Sequence, residues 1–276
     1  MRNRFEPPRG GHSTSPAARS LRSRAATAGV VAAAAATLAT GCGQAADPAQ
    51  GRPASPGASL PQATTYTTLR GLPQDSDPSA NTDGTVVHPT APVPISATPG
   101  GPPVAVLPDK QLGGPTWLPV VGTEPGWLRV LLPSRPNGAT GWLATDGGKL
   151  RTARSSYRIN VDTSDRRLVI LNSGRKVGTW TVAVGDAKTP TPTGRTFLLA
   201  SLAPTRPTYS RLILPVGAHS ATLDTFGGGP GTVAFHGWPQ SSVFGKAVTH
   251  GCVRVPENAL KELSRVPLGT PVVVTA

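Results

Sequence analysis

Acidic residues are scarce in this chain: 14 Asp and Glu stand against 27 Lys and Arg in 276 residues, for a formal net charge of +13. No two carboxylates stand out as an acid pair, which argues against a glycosidase, since that chemistry needs two of them across the scissile bond. Aromatics are only 5% and charged residues only 15% of the chain. The basic excess forms neither a basic helix nor an aromatic-rich Lys/Arg stripe, so no nucleic-acid partner is expected. Attraction to an anionic cell envelope is the simpler account. Cysteine occurs twice, at Cys42 and Cys252. Long hydrophobic runs are missing too: the uncharged, Ala-rich stretch from Ala25 to Thr40 is too short and too weakly apolar for a comfortable membrane span. What the chain has in excess is Gly and Pro, 32 and 31 residues, which signals a low-complexity portion.

Taken in order, residues 1–42 read as an export signal. Six arginines face a single Glu6 before the Ala-rich run, and no Arg-Arg pair precedes it, which disfavours a twin-arginine signal. Ala39-Thr40-Gly41-Cys42 resembles a bacterial lipobox, with Ala39 where Leu is preferred. That resemblance implies lipidation of Cys42 and a membrane anchor facing the cell wall. Loss of residues 1–41 leaves a charge of about +8. Residues 43–103 hold twelve prolines among many Ser, Thr, Ala and Gly, a composition that cannot bury a core and reads as an extended linker; Thr85-Val86-Val87 is a short apolar exception.

Residues 104–152 change character. Val104–Leu107, Trp117–Val121, Trp127–Leu132 and Thr140–Leu143 are short apolar runs between turn signals, and Asn137-Gly138 is a hairpin signal. Three of the five tryptophans fall here. Gly126–Val130 and Gly141–Leu143 resemble bacterial SH3-like modules, so a small β-barrel is expected, its tryptophans serving as core or as a wall-binding surface. From Tyr157 the chain is strand-rich again. Tyr157–Asp162 alternates with period two, and Arg167–Leu171, Val177–Val184, Thr196–Leu202 and Val272–Val274 add further strands. Pro256–Arg265 reads as one short helix with Pro in its first turn and Glu257 near its start. The prolines of Thr189–Gly194 fix φ and lack an N–H, so that loop is expected to be a stiff scaffold. A Gly-rich turn, Phe226–Gly231, leads into the apolar run that carries His236.

The chemistry is concentrated between His236 and Arg254. This stretch holds two histidines, His236 and His250, and Cys252, in a loop hung between a strand and a helix. A thiolate nucleophile needs a base, and an imidazole can take its proton and hold the pair charged. His236 comes from a separate strand end, while His250 is two residues from Cys252, so its ring and the thiol can point the same way. Gly251 lets the backbone turn tightly and lets a carbonyl approach the Gly251 and Cys252 amides, an oxyanion hole. Other readings remain open on these residues alone: Cys252 as a buried small hydrophobe, a Cys42–Cys252 disulfide, or zinc held by His236, His250 and Cys252. As both His236 and Cys252 are assigned to a surface loop, their substitution by Ala is expected to leave folding nearly intact.

His236-Gly237, then Thr249-His250-Gly251-Cys252-Val253-Arg254, together with Val184-Gly185, Thr189–Gly194 and Pro267–Val272, resemble the L,D-transpeptidase catalytic domain (the YkuD-like family) over about residues 155–276. Thr249 stands where Ser is commoner, and Trp238 where a small residue is frequent. The resemblance implies a mainly β protein: a YkuD-like β-sandwich or barrel with one or two short helices, after the SH3-like barrel and the linker. It implies a monomer without cofactor or metal. Cys252 attacks a donor tetrapeptide stem of peptidoglycan, expels the terminal D-alanine and passes the acyl group to a second stem. His236 is the expected general base. His250 orients the site and, with Gly251 and Cys252, lends backbone to the oxyanion hole. Thr249 and Gly237 join Gly251 as expected oxyanion-hole or substrate-binding residues, and Arg254 holds a substrate carboxylate or braces the loop. The family's sensitivity to carbapenems implies an inhibitor class. The rival readings are an L,D-carboxypeptidase with water as acceptor and an inactive wall-binding lipoprotein.

Overall fold

The computed structural model describes residues 59–206 and 208–276. The export signal, Cys42 and the first part of the expected linker lie outside them. Nineteen strands and one α-helix follow one another in the described chain. Among the described residues no helix is long and apolar enough to cross a membrane.

The first part of the fold is a seven-stranded sheet. Its members are β1 (Thr85–Pro89), β2 (Val93–Ser96), β3 (Pro103–Leu107), β6 (Leu118–Glu124), β7 (Trp127–Leu131), β8 (Thr140–Ala144) and β9 (Leu150–Arg154), in the order β3-β2-β8-β7-β6-β1-β9; β4 (Lys110–Gln111) and β5 (Gly114–Pro115) make a small separate hairpin. Two of the seven strands lie inside the stretch that composition assigned to linker. The reason is local: Val86, Val87, Val93 and Ile95 are buried in spite of the prolines around them, so four apolar side chains outweigh the average composition. The expected separate barrel of residues 104–152 is not what forms. Among the described residues no sheet closes on itself, and the core under this sheet takes Phe197 and Leu199 from the C-terminal part. Trp117, Trp127 and Trp142 are half-buried, and aliphatic side chains with Phe197 fill the core instead.

The second part has two packed sheets. One holds β10 (Tyr157–Asp162), β11 (Arg167–Asn172), β12 (Arg175–Thr181), β14 (Gly194–Phe197) and β19 (Pro271–Thr275), in the order β12-β11-β10-β19-β14. The other holds β15 (Ile213–His219), β16 (Thr232–Gly237) and β18 (Val253–Val255) in that order, while β13 (Val184–Gly185) pairs with β17 (Ala247–Thr249). The inward faces meet in one core: Ile159, Val161, Leu168, Ile170, Val272 and Val274 from the first sheet, Leu214, Val216, Val233, Phe235, Val253 and Val255 from the second. Helix α1 (Glu257–Leu263) starts after Pro256 and buries Ala259, Leu260 and Leu263 into this core. Strand β15 was missed by the sequence pattern because Pro215 interrupts it. It is an edge strand, and its register with β16 shifts between Pro215 and His219, where a proline is tolerated.

The two parts are joined by polar contacts that the sequence did not announce. Arg195 of β14 forms a bidentate pair with Asp75, Nε–Oδ2 2.9 Å and Nη2–Oδ1 2.7 Å, and donates to the Ala80 carbonyl. Both side chains are only 4% exposed. Arg135 donates to the carbonyls of Ser220, Leu223 and Pro230, each at 3.0 Å. Asn137, read with Gly138 as a hairpin signal, does lie in a hairpin, since β7 and β8 pair antiparallel on either side of it. It sits in the longer connection between β7 and β8 and brackets His219, accepting from its amide at 2.8 Å and donating to its carbonyl at 2.7 Å.

His219 is wholly buried. Its Nε2 lies 2.7 Å from the Thr65 carbonyl, which can only accept, so Nε2 carries the proton and the buried Nδ1 has no partner. Burial pushes its pKa below 6.5; the Thr65 carbonyl opposes this and Arg135 adds to it. The unfolded chain therefore takes up the proton more readily than the folded one. The stability contribution is complete above pH 6.5 and is lost as pH falls through the depressed value. The melting temperature is expected to drop between pH 7.5 and 5, and His219→Gln to flatten that slope; an unchanged slope in the variant would show that the transition is set elsewhere.

Candidate active site

The parallel pairing of β16 with β18 builds the site. Phe235 faces Val253 and His236 faces Arg254 across the ladder. Side chains alternate along a strand, so Val233, Phe235, Val253 and Val255 enter the core while His236, Cys252 and Arg254 are directed to the other face. Cys252 carries a free, half-buried thiol. His236 is 6% exposed and belongs to the central strand of its sheet. It is not on a surface loop, so the expectation that His236→Ala is structurally neutral fails: the change would empty a buried position.

His236 is held in one tautomer. Its Nδ1 is 2.8 Å from the Gly237 carbonyl, an acceptor, so Nδ1 carries the proton and Nε2 keeps its lone pair. The Gly237 amide donates to Ser210 Oγ at 2.8 Å, and that hydroxyl donates to the Leu212 carbonyl at 2.6 Å. Tyr209 meets the imidazole edge-on at 4.8 Å between centroids and lies 5.4 Å from Trp238. The Arg254 guanidinium carbon sits 3.6 Å above the Trp238 ring, a cation–π stack, and its Nε is buried without a hydrogen-bond partner. Trp238, noted in the sequence only as a departure from the usual small residue, is thus the platform for Arg254. Tyr209 and Ser210 were not found from sequence. No spacing pattern ties them to His236, and only the fold brings them there.

The loop before Cys252 is pinned from below. Thr249 is buried, and its hydroxyl donates to the Cys252 carbonyl at 2.5 Å and accepts from the Gly251 amide at 3.2 Å. Its own carbonyl accepts from the Thr189 hydroxyl and the Asp186 amide, both at 3.0 Å. Gly251 has φ +109°, a conformation that favours glycine. The Gly251 amide, expected as an oxyanion donor, is engaged by Thr249 here. His250 is exposed and tilted against Phe226 at 5.3 Å, so its ring lies with Phe226 while His236 lies with Tyr209 and Trp238. Among the described residues no three His, Cys, Asp or Glu are grouped closely enough to hold a metal ion, so His236, His250 and Cys252 do not form the zinc site left open above.

The stiff loop after β13 acts as the expected scaffold. A Cβ on Gly185 would lie 2.3 Å from the Thr189 carbonyl oxygen and 2.4 Å from the Thr191 amide nitrogen. Gly185→Ala must push this backbone off Thr249. It is expected to destabilise the fold by about 1–3 kcal/mol and to slow alkylation of Cys252 by iodoacetamide. Wild-type alkylation rates in a folded variant would disconnect the loop from the thiol.

The charge balance favours a neutral pair. Burial pushes the Cys252 thiol up from its ordinary 9.0, with the Ala234 backbone and Arg254 acting in the opposite sense. Burial pushes His236 down from 6.5; the Gly237 backbone opposes and Arg254 adds. Both directions disfavour the thiolate–imidazolium pair expected from the sequence, because burial penalises each charged form. Burial, and then the Cys252 charge, raises Tyr209.

Residues 156–274 match the family model described as the L,D-transpeptidase catalytic domain, YkuD. They are a YkuD-like L,D-transpeptidase catalytic domain. It is 35% identical over 120 residues to a candidate L,D-transpeptidase, YkuD, of Bacillus licheniformis, an alignment covering 43% of this chain and 66% of that protein; the chain thus spans just under two thirds of that relative's length. Two solved structures are also similar. An L,D-transpeptidase from Mycobacterium smegmatis aligns with TM-score 0.40 and 19% identity over 58% of this chain and 82% of its own. The catalytic domain of an L,D-transpeptidase from E. faecium aligns with TM-score 0.33 and 22% identity over 44% and 97%.

Proposed function

We propose that this protein cross-links peptidoglycan stem peptides by L,D-transpeptidation through an acyl-enzyme on Cys252. The observation that carries the reading is His236: a tautomer fixed by Gly237 leaves Nε2 unprotonated, on the same sheet face as Cys252. As a donor tetrapeptide binds, the thiol proton passes to His236 Nε2 and Cys252 Sγ attacks the carbonyl preceding the terminal D-alanine. The oxyanion is received by backbone amides of the His250–Cys252 turn; since Gly251 already donates to Thr249, those of His250 and Cys252 are the better placed. Collapse breaks the C–N bond, His236 returns the proton to the departing amine, and a thioester remains. The side-chain amine of a second stem then attacks the thioester, His236 takes its proton, and the thiol is restored. Arg254, held over Trp238, binds a substrate carboxylate, and His250 shapes the rim beside Phe226.

Around this centre we read residues 1–42 as an export signal with lipidation at Cys42. The enzyme would then be a membrane-anchored monomer outside the cytoplasm. Acyl labelling of the full chain, lost in Cys42→Ala, tests the anchor.

Mass analysis of products from a tetrapeptide donor, with and without an acceptor amine, tests the reaction. A cross-linked dimer and free D-alanine are expected. Tripeptide alone in the presence of acceptor would identify a carboxypeptidase, and unchanged donor would leave a wall-binding protein.

A further inference from the structure

The outer face of the five-stranded sheet is unevenly covered. Arg195 and Phe197 of β14 lie under the N-terminal part. At β10 and β19 the same face opens into a cleft of about 470 Å³, walled by residues 80–84 on one side and by the β9–β10 connection and the β11–β12 turn on the other. That volume lies within the range of small-ligand sites, about 300–1,000 Å³. The cleft is not part of the cysteine site. Ile159 and Val161 of β10 enter the core beneath Cys252's sheet, and Arg158, on the alternate face, lines the cleft.

The lining mixes apolar side chains, among them Leu171, Pro271 and Val273, with polar ones, and it carries an uncompensated cation. Arg158 is half-buried, and its Nε donates to Asn160 at 2.8 Å. Among the described residues no carboxylate pairs with its terminal nitrogens. The carboxylate in the lining, Asp83, is already committed. It accepts from the Thr85 amide at 2.9 Å and the Thr85 hydroxyl at 2.8 Å, and faces Arg154 at 3.9 Å. Asn81, Ser156 and Ser173 add neutral hydrogen-bonding groups around Arg158. A partly desolvated guanidinium without a counter-anion favours an incoming oxyanion, and its planar fork suits a carboxylate or a phosphate. Burial also depresses the Arg158 pKa with no charge partner acting on it.

We propose that this cleft is an anion-binding site, separate from the cysteine centre, in which Arg158 receives the carboxylate or phosphate of a ligand of about monosaccharide to dipeptide size. It stands apart from the enzymatic reading, and its test does not use turnover. Melting of the full chain is followed against inorganic phosphate, and in a second arm acetate, at constant ionic strength. A saturable rise is expected in the wild type and in Arg254→Gln, and its loss in Arg158→Gln. Response to phosphate alone points to a phosphate-bearing ligand; response to acetate as well points to carboxylates. A variant-free measurement accompanies it: phosphate should slow phenylglyoxal modification of Arg158, read by peptide mass, more than that of exposed Arg265, which lies outside the cleft. An equal shift in Arg158→Gln, no saturable shift with either anion, or no selective protection of Arg158 overturns the site.

Discussion

His236→Gln is expected to lower the rate at which Cys252 is acylated by about 10²–10⁴-fold, the usual contribution of a positioned general base, and Cys252→Ala to abolish acylation. Intact mass of the chain after exposure to a carbapenem reads both, since the acyl adduct reports the first half of the reaction alone. Gln replaces His236 better than Ala does, because the position is 6% exposed in a central strand and must stay filled. The acid side of the pH profile identifies the resting pair. If the pair rests neutral, acylation falls only as His236 itself is protonated. His236 is depressed below 6.5, so the rate holds from pH 8 down to about 6.5 and drops below it. A pair resting as thiolate and imidazolium would instead be limited by the thiol. A limb above pH 7 that persists in His236→Gln would remove His236 from the base role.

Asp75→Ala is expected to have the largest effect on the fold. It leaves Arg195 buried with the Ala80 carbonyl as its remaining partner, and breaking a buried pair costs about 3–5 kcal/mol. For a unit of this size each kcal/mol moves the melting temperature by roughly 2–4 °C, so a fall on the order of 10 °C is expected. The double change Asp75→Leu/Arg195→Met should recover most of it, because no charge is then left without a partner. A single variant that melts with the wild type would mean that the pair contributes nothing to joining the two parts. The cysteine site is expected to survive in the folded fraction, since its own ties, Ser210 to Gly237 and Thr189 to Thr249, lie within the C-terminal part.

What the sequence determined by itself are features that depend on neighbours in the chain. Alternation in Tyr157–Asp162 is β10, Pro256 before Glu257 starts α1, and the paired β-branched residues of 272–274 are β19. The His236 to Arg254 stretch was legible for the same reason: a glycine with φ +109° beside a cysteine, after Thr249, is a local requirement of that turn. The stiff Thr189–Gly194 loop followed from proline chemistry and proved to be the support of Thr249. Tertiary structure alone decided what joins distant segments. Composition averaged over 43–103 concealed β1 and β2, whose few valines and one isoleucine are buried only because β6, β8 and β9 lie beside them. Asp75 and Arg195 are 120 residues apart, and neither has meaning without the other. Which way His250 faces, what Trp238 carries and why burial pushes Cys252 up and His236 down are set by the assembled sheets rather than by any stretch of chain.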